Sequence, residues 1–219
     1  MRARVKLFLA SSNPGKLAEY SALARTLSAN TAIELELLPQ FGSLPSFEEG
    51  APTFAENAAG KALHYSRLCE GMVFADDSGL VVPALGGAPG VQSARYAGAG
   101  ASSVARNAKL LEALRGKSGH ARRAHFVCAI ALAERGRACA VVTARADGEI
   151  LEAPRGAGGF GYDPVFHFPA LKKSFAEISS EEKNRHSHRG QAFSKLLCFL
   201  ESLLIRTPPC DILPGHVHG

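Results

Sequence analysis

Val5-Lys6-Leu7-Phe8-Leu9-Ala10-Ser11-Ser12-Asn13-Pro14-Gly15-Lys16 decides the fold class of this 219-residue chain. Val5 to Ala10 reads as a buried strand. Asn13 is then a good helix N-cap, and Pro14 stands where proline is favoured, at the first helical position. Leu17, Tyr20, Ala24 and Leu27 follow at helical spacing. A strand that feeds straight into a helix is the unit of an α/β fold.

The pattern continues outward. Ala32 to Leu38 reads as a second strand and residues 39–52, rich in Pro, Gly and Glu, as a loop. Thr53 and Glu56 form a capping box, and Phe54, Ala58, Ala62, Tyr65 and Cys69 give the helix after it an apolar stripe. Met72 to Ala75 reads as a short strand ending at Asp76-Asp77-Ser78-Gly79, with Leu80-Val81-Val82 beyond it. Residues 83–100 hold many Gly and Pro and read as an irregular surface segment. Ser102 or Ser103 caps a third helix carrying Val104, Ala108 and Leu111.

Residues 124–133 and 138–145 are strands joined as a hairpin by Glu134-Arg135-Gly136-Arg137. A short strand around Glu149-Ile150-Leu151 precedes a glycine-rich loop, and Val165-Phe166 starts another. The last helix begins near Ser187, with Phe193, Leu196, Leu197, Leu200 and Leu204 on one face and Pro208-Pro209 ending it. The expectation is a single α/β domain with a mixed sheet over residues 1–206, and a flexible C-terminal tail over 207–219. His216-x-His218 in that tail reads as part of a frayed end rather than a metal site.

Composition narrows the class. Hydrophobic residues make up 46% of the chain, enough for a sizeable core. A net charge of +5 is mild and suits an anionic small molecule as well as a polymer. The basic cluster Arg115, Lys117, His120, Arg122, Arg123 and His125 has no interleaved aromatic residue, so it reads as a solvated turn and strand edge, with no nucleic acid as partner. Cys69, Cys128, Cys139, Cys198 and Cys210 form no Cys-x-x-Cys pair and read as reduced, mostly buried cytosolic thiols. The N-terminus imitates a signal peptide, but its apolar run is short, carries Lys6 and ends at Asn13-Pro14-Gly15. No segment is long and apolar enough to span a bilayer. The expected setting is cytoplasmic, with no membrane partner.

Six constellations can carry chemistry. Ser11 to Lys16 joins a strand to a helix N-terminus, where free amides, two hydroxyls and Lys16 make either a phosphate cradle or a plain capped helix start. It is not a Walker A loop, and the one Gly-Lys-Ser, Gly116-Lys117-Ser118, has Leu111 where the earlier glycine belongs. The acids Asp76 and Asp77 point to opposite faces of a strand, so at most one points straight into a given cleft; the pair reads as a Mg²⁺ site or an Asx-type turn. Glu48-Glu49 can add a metal oxygen, or simply be a solvated loop. Thr53, Asn57 and Lys61 share a helix face, which puts Lys61 either within reach of a polyphosphate or in solvent.

The glycine-rich loop Gly158-Gly159-Phe160-Gly161-Tyr162-Asp163-Pro164 offers two aromatic faces, an acceptor and close backbone approach, which suit a planar heterocycle; the alternative is a hairpin turn. Ser187-His188-Arg189-Gly190 places a His-Arg pair in a first helical turn, where cations are disfavoured. A residue that breaks a local rule is a candidate for function, here as a donor to a base carbonyl.

Together these segments resemble the inosine-triphosphate pyrophosphatase family. The motifs that carry the resemblance are Ser11 to Lys16, Glu49 through Thr53-Phe54-Ala55-Glu56-Asn57-Ala58 to Lys61, and Phe74-Ala75-Asp76-Asp77-Ser78-Gly79-Leu80. Next come Gly86-Gly87-Ala88-Pro89-Gly90 with Ser93-Ala94-Arg95-Tyr96, the Gly158 to Pro164 loop, Glu181-Glu182-Lys183 and Ser187-His188-Arg189-Gly190. They stand in the family's order and span about residue 5 to about residue 205. Ser11-Ser12 and Gly50-Ala51 stand where the family usually has Thr-Gly.

The resemblance implies an elongated mixed β-sheet with flanking helices forming two lobes around a central cleft. It implies a homodimer and a Mg²⁺-dependent hydrolysis of ITP, dITP and XTP to monophosphate and pyrophosphate. Carried onto this chain, it makes Ser11, Ser12, Asn13, Pro14, Gly15, Lys16 and Lys61 hold the triphosphate. Glu49 and Asp77 bind Mg²⁺, and Asp77 is also the proton acceptor. Ser78 touches substrate, Phe160 stacks on the base with Gly161, Tyr162 and Asp163 around it, and Lys183, His188 and Arg189 read the purine. Two other classes compete: a nucleotide sensor without turnover, which has no need of Asp77 and Glu49, and a nucleic-acid module built on the 115–125 cluster.

Overall fold

The helix starts written in the sequence form where the capping residues stand. A computed structural model describes residues 5–27 and 33–206. Asn13 Oδ1 accepts from Lys16 N at 3.1 Å, and helix α1 runs Pro14–Leu27. Thr53 and Glu56 close their capping box through Glu56 N to Thr53 Oγ1 (3.2 Å) and Thr53 Oγ1 to Glu56 Oε2 (2.7 Å), opening α2, Phe54–Tyr65. Ser102 is the one that caps α3, Ser103–Ala113. Ser187 Oγ accepts from Gly190 N at 3.1 Å at the start of the last helix, His188–Arg206.

The strands are β1 Val5–Leu9, β2 Ile33–Leu37, β3 Met72–Val81, β4 Arg123–Glu134, β5 Arg137–Ile150, β6 Phe166–Phe168 and β7 Lys173–Ser174. They form one mixed seven-stranded sheet in the order β2-β1-β3-β4-β5-β6-β7. β1 pairs parallel with β2 on one side and β3 on the other; all remaining pairs are antiparallel. The chain leaves β1 for one neighbour and returns on its other side, which makes the C-terminal end of β1 a topological switch point, the usual ligand crevice of such sheets.

Three cores hold this frame. Tyr20 and Leu23 of α1 and Phe193, Leu196 and Leu200 of the last helix pack on one face of β1, β3 and β4. Ala58, Ala62 and Tyr65 of α2 pack on the other. Leu110, Leu114, Phe126, Phe166 and Phe175 form a separate core around α3 and the far end of the hairpin, the second lobe.

Several expectations are corrected. The strand expected over Met72 to Ala75 does not end at the acids. β3 runs through to Val81 because β4 pairs with all of it, setting Asp76 opposite Ile130 and Asp77 opposite Ala129. The expected short strand at Glu149-Ile150-Leu151 is the end of β5 for its first two residues. The buried face of α3 is Asn107 and Leu110, while Val104 is 78% exposed. A further helix, α4 (Ser180–His186), was not legible as one; the last helix is therefore α5.

Cys128 is the one buried thiol among the described cysteines, and Cys139 and Cys198 are exposed, so the thiols are not mostly buried. Arg122, expected in a solvated cluster, is buried and donates to the carbonyls of Leu114, Lys117, Ile150 and Leu151, clamping the turn after α3 to the end of β5. Among the described residues no helix is long and apolar enough to cross a membrane. Met1 to Arg4, the tail from 207 with Pro208-Pro209, Cys210 and the His216-x-His218 pair, and the side chain of Leu204 lie outside the described residues.

Candidate active site

β1 stops at Leu9, and its pairing with β3 ends at Phe74. β3 continues for seven more residues, so on the β1 side its edge loses its strand partner after Phe74 and is covered again only from Leu80, whose N donates to Ser93 Oγ at 2.9 Å, and Val81, which bridges to Pro89, while β4 holds the other edge throughout. Ala10 N donates to Phe74 O at 2.9 Å, and the Ser11 to Lys16 turn then leaves the sheet beside that unpaired stretch. A cleft of about 330 Å³ lies there. Every residue assigned above to substrate or metal lines it except Pro14 and Gly15.

On the α2 side, Asp77 is 6% exposed. Its Oδ2 accepts from Asn57 Nδ2 at 3.0 Å and its Oδ1 from Ser78 N at 2.9 Å. Lys61 Nζ pairs with Glu49 Oε1 at 2.7 Å. Burial, and then the charge of Glu49, push the Asp77 carboxyl up to about 6, against the pull of Lys16 and the Asn57 hydrogen bond. Burial works against the Lys61 ammonium, yet Glu49, with Asp76 and Asp77 behind it, raises its pKa.

Two carboxylates that repel across a cleft suit a hard divalent cation, which relieves the repulsion. Among the described residues no group of three or more His, Cys, Asp or Glu side chains gathers. A Mg²⁺ ion fits such a sparse pair when phosphate oxygens and water complete its shell.

On the α5 side the neighbouring acid, Asp76, is fully buried. Its Oδ2 lies 3.0 Å from Lys16 Nζ and 3.6 Å from Arg189 Nε. Burial opposes its ionisation, but Lys16 and Arg189 hold the carboxyl below its usual range. Arg189 also pairs with Glu19 through Nη1 and donates to Ser78 Oγ at 2.8 Å. Lys183 Nζ lies 2.5 Å from both Glu19 Oε1 and Asp163 Oδ2.

His188 stacks on Phe126, ring centroids 4.6 Å apart and 10° from parallel. Burial, and then the charges of Arg189, Lys183 and Lys16, drive its pKa well below the usual value, so it is neutral. Only Arg189 therefore breaks the helix-dipole rule, and its buried carboxylate partners explain how. His188 Nδ1 is buried without a hydrogen-bond partner.

The Phe160 loop is held from within. Asp163 Oδ2 accepts from Phe160 N at 2.7 Å, and a Cβ on Gly159 would fall 2.1 Å from that oxygen, so only glycine fits there. The ring of Phe160 has Lys183 Nζ 5.0 Å and Arg189 Cζ 5.4 Å from its centroid. Tyr162 does not offer the second stacking face: the residue is 4% exposed and belongs to the second-lobe core, and its hydroxyl donates to Ser93 O at 2.9 Å. Asp163 likewise spends its acceptor on Lys183 and the loop. Gly15 takes no place in the cleft lining, because it lies under the Phe160 ring.

Sequence reasoning missed Glu19, the carboxylate between Lys183 and Arg189. Its signal is an acid beside Tyr20 on the buried face of α1. Arg106 and Phe126, which also line the cleft, carry no local signal. Arg95 stood in a quoted motif without a role; it lines the cleft and donates to Glu49 O at 3.1 Å.

This arrangement and this sequence have known counterparts. The Ham1 family model matches residues 7–199. A dITP/XTP pyrophosphatase of Geobacillus kaustophilus (strain HTA426) is 50% identical over 191 residues, covering 87% of this chain and 92% of that protein. One of Gloeobacter violaceus (strain ATCC 29082 / PCC 7421) is 51% identical over 193 residues, with 87% and 92% covered. The structure of a HAM1 protein from Coxiella burnetii superposes with a TM-score of 0.80 at 41% identity, covering 90% of this chain and 99% of that one. These likenesses agree with the resemblance read from the motifs, and the chain belongs to the Ham1 family.

Proposed function

We propose that this chain hydrolyses deaminated purine nucleoside triphosphates (ITP, dITP and XTP) to the monophosphate and pyrophosphate; its curated relatives carry the name dITP/XTP pyrophosphatase. One observation carries the reading: a single cleft is lined by a carboxylate pair, Asp77 and Glu49, by two lysines, Lys16 and Lys61, and by one face of Phe160. The lysines suit the phosphates, the carboxylates suit Mg²⁺ and water, and the ring suits a base. A sensor without turnover has no use for Asp77 beside Glu49, its carboxyl pushed up to about 6.

The chemistry follows from these residues. Lys16 and Lys61 bind the triphosphate oxygens, with the amides and hydroxyls of Ser11 to Asn13 beside them. Glu49 and Asp77 would hold a Mg²⁺ ion, which would supply charge neutralisation at the phosphates and a more acidic water. Asp77 orients that water toward the α-phosphorus and accepts its proton, and Asn57 keeps the carboxylate in place. Phe160 stacks on the purine.

Neutral His188, with Lys183 and Arg189, faces the 6-position. Donors there match a carbonyl, and the amine of adenine leaves them unpaired, a mismatch that costs orders of magnitude. The expected setting is the cytoplasm and the expected assembly a homodimer. The test is to incubate the purified protein with Mg²⁺ and ITP, dITP, XTP, ATP or GTP and identify the products. Pyrophosphate released preferentially from the first three supports the reading; orthophosphate, or equal rates on ATP, overturns it.

A further inference from the structure

Six buried or half-buried charges of alternating sign run from the phosphate turn to the Phe160 loop. They are Lys16, Asp76, Arg189, Glu19, Lys183 and Asp163, and the last accepts from Phe160 N at 2.7 Å. Each carboxylate sits between two N–H groups, although Arg189 Nε, 3.6 Å from Asp76 Oδ2, meets it as an ion pair without a hydrogen bond. Asp76 is the only link in this line between Lys16 and the rest; both side-chain contacts use one oxygen, Oδ2, Lys16 Nζ also donates to the Asp76 main-chain oxygen at 3.3 Å, and Oδ1 has no hydrogen-bond partner. Ser78 Oγ leans on the same Oδ2 at 3.4 Å. Asp76 is fully buried and does not line the cleft, so it meets no substrate.

We propose that Asp76 is a positioning residue that ties Lys16 to Arg189, so that one buried carboxylate sets both the grip on phosphate and the discrimination between bases. This rests on the functional reading above, which gives Lys16 to the phosphates and Arg189 to the base. The physical reason is charge balance in a place without water. A lysine and an arginine held by one carboxylate have few alternative positions; without its charge they repel each other and relax toward solvent or other acids. Lys16 then no longer meets the phosphates where they bind, and Arg189 loses its place beside Ser78 Oγ. Asp77, one residue away, points to the opposite face of β3, so its contacts with Asn57 and the Ser78 amide persist.

The experiment uses two readouts that do not depend on the fraction of active protein. One is the ratio of kcat/KM for ITP to that for ATP; the other is the inhibition constant of inorganic pyrophosphate, which reports on the phosphate subsite without a base. Asp76→Asn is expected to lower the ratio about tenfold and raise the inhibition constant about tenfold, while Lys16→Ala raises the inhibition constant and leaves the ratio unchanged. Movement of only one readout in Asp76→Asn, or of neither by more than twofold, overturns the assignment. Asp76→Ser, which removes the charge in a smaller side chain, should give the same pair of changes if Asp76→Asn does not fold. Failure of both to fold makes Asp76 a folding residue and also overturns the proposal. Absence of pyrophosphate release from ITP by the unmodified enzyme sinks the functional reading itself, an outcome distinct from all of these.

Discussion

Gly15 lies directly beneath the ring of Phe160: a Cβ on Gly15 would come 2.7 Å from both Cγ and Cδ1 of that ring. The residue after the helix start thus seats the aromatic platform, and the phosphate turn and the base loop touch through a missing side chain. This changes the meaning of Gly15, from a phosphate-cradle residue to the floor under Phe160.

Gly15→Ala therefore pushes the Phe160 ring out of place, since an aromatic ring in van der Waals contact cannot absorb such an overlap. KM is expected to rise several-fold for ITP and ATP alike, because stacking is blind to the 6-substituent. The inhibition constant of inorganic pyrophosphate should stay within twofold. A change confined to pyrophosphate would return Gly15 to the phosphates.

Asp77→Asn removes the proton acceptor and one metal oxygen, and a rate loss of roughly two to four powers of ten is expected. The same change should stabilise the metal-free protein at alkaline pH. The carboxyl titrates at about 6 in the folded chain against 3.8 ordinarily, so the folded state holds its proton longer than the unfolded one. Stability of the metal-free enzyme therefore falls as pH rises from about 4 to about 6, and the cost stays above that. About two pKa units correspond to roughly 3 kcal/mol. Urea titrations at pH 8 without divalent cations check this: an Asp77→Asn midpoint below that of the unmodified protein contradicts it.

Activity should drop on acidification through pH 6 with unit slope in kcat/KM measured at limiting Mg²⁺, as Asp77 takes up a proton. A profile flat from pH 5 to 8 is incompatible with Asp77 as the base.

Chelation of divalent cations should abolish ITP hydrolysis, and added Mg²⁺ should restore it. Glu49→Gln is expected to raise the Mg²⁺ concentration for half-maximal activity about tenfold or more, and calorimetric titration with Mg²⁺ and a non-hydrolysable triphosphate should show the same weakening. Full activity in chelator would remove the metal from the mechanism.

Arg189→Ala leaves Asp76 and Glu19 each short of a buried partner, and a loss of roughly 3–5 kcal/mol is expected from denaturant unfolding. Phe160→Ala, whose ring lies in the cleft, should cost much less stability and weaken all purines together. If Arg189→Ala unfolds at the same denaturant concentration as the unmodified chain, the buried ion-pair network does not hold the fold in this way.

The helix starts, the hairpin and the order of the site motifs were legible in the sequence alone. Asn13, Thr53, Ser102 and Ser187 each satisfy an amide three residues on, and the two-residue turn at Arg135-Gly136 is marked by its own residues. Such interactions are closed within a few residues, so pattern suffices to find them. The types of residue at the site were legible for the same reason, since Lys16, Asp77, Phe160 and His188 each stand in a short motif.

Only the tertiary structure decided what those residues do to one another. β4 pairs with β3 beyond Phe74, which turns an expected strand end into a strand whose other edge lacks a strand partner, and it decides the partners of the two acids, Lys16 and Arg189 for Asp76 and Asn57 for Asp77. Burial makes His188 neutral, draws Tyr162 into a core and gives Arg189 to Glu19, 170 positions away in sequence. These outcomes depend on desolvation and on charges brought together by the sheet, and both are properties of packing that no local stretch of the chain contains.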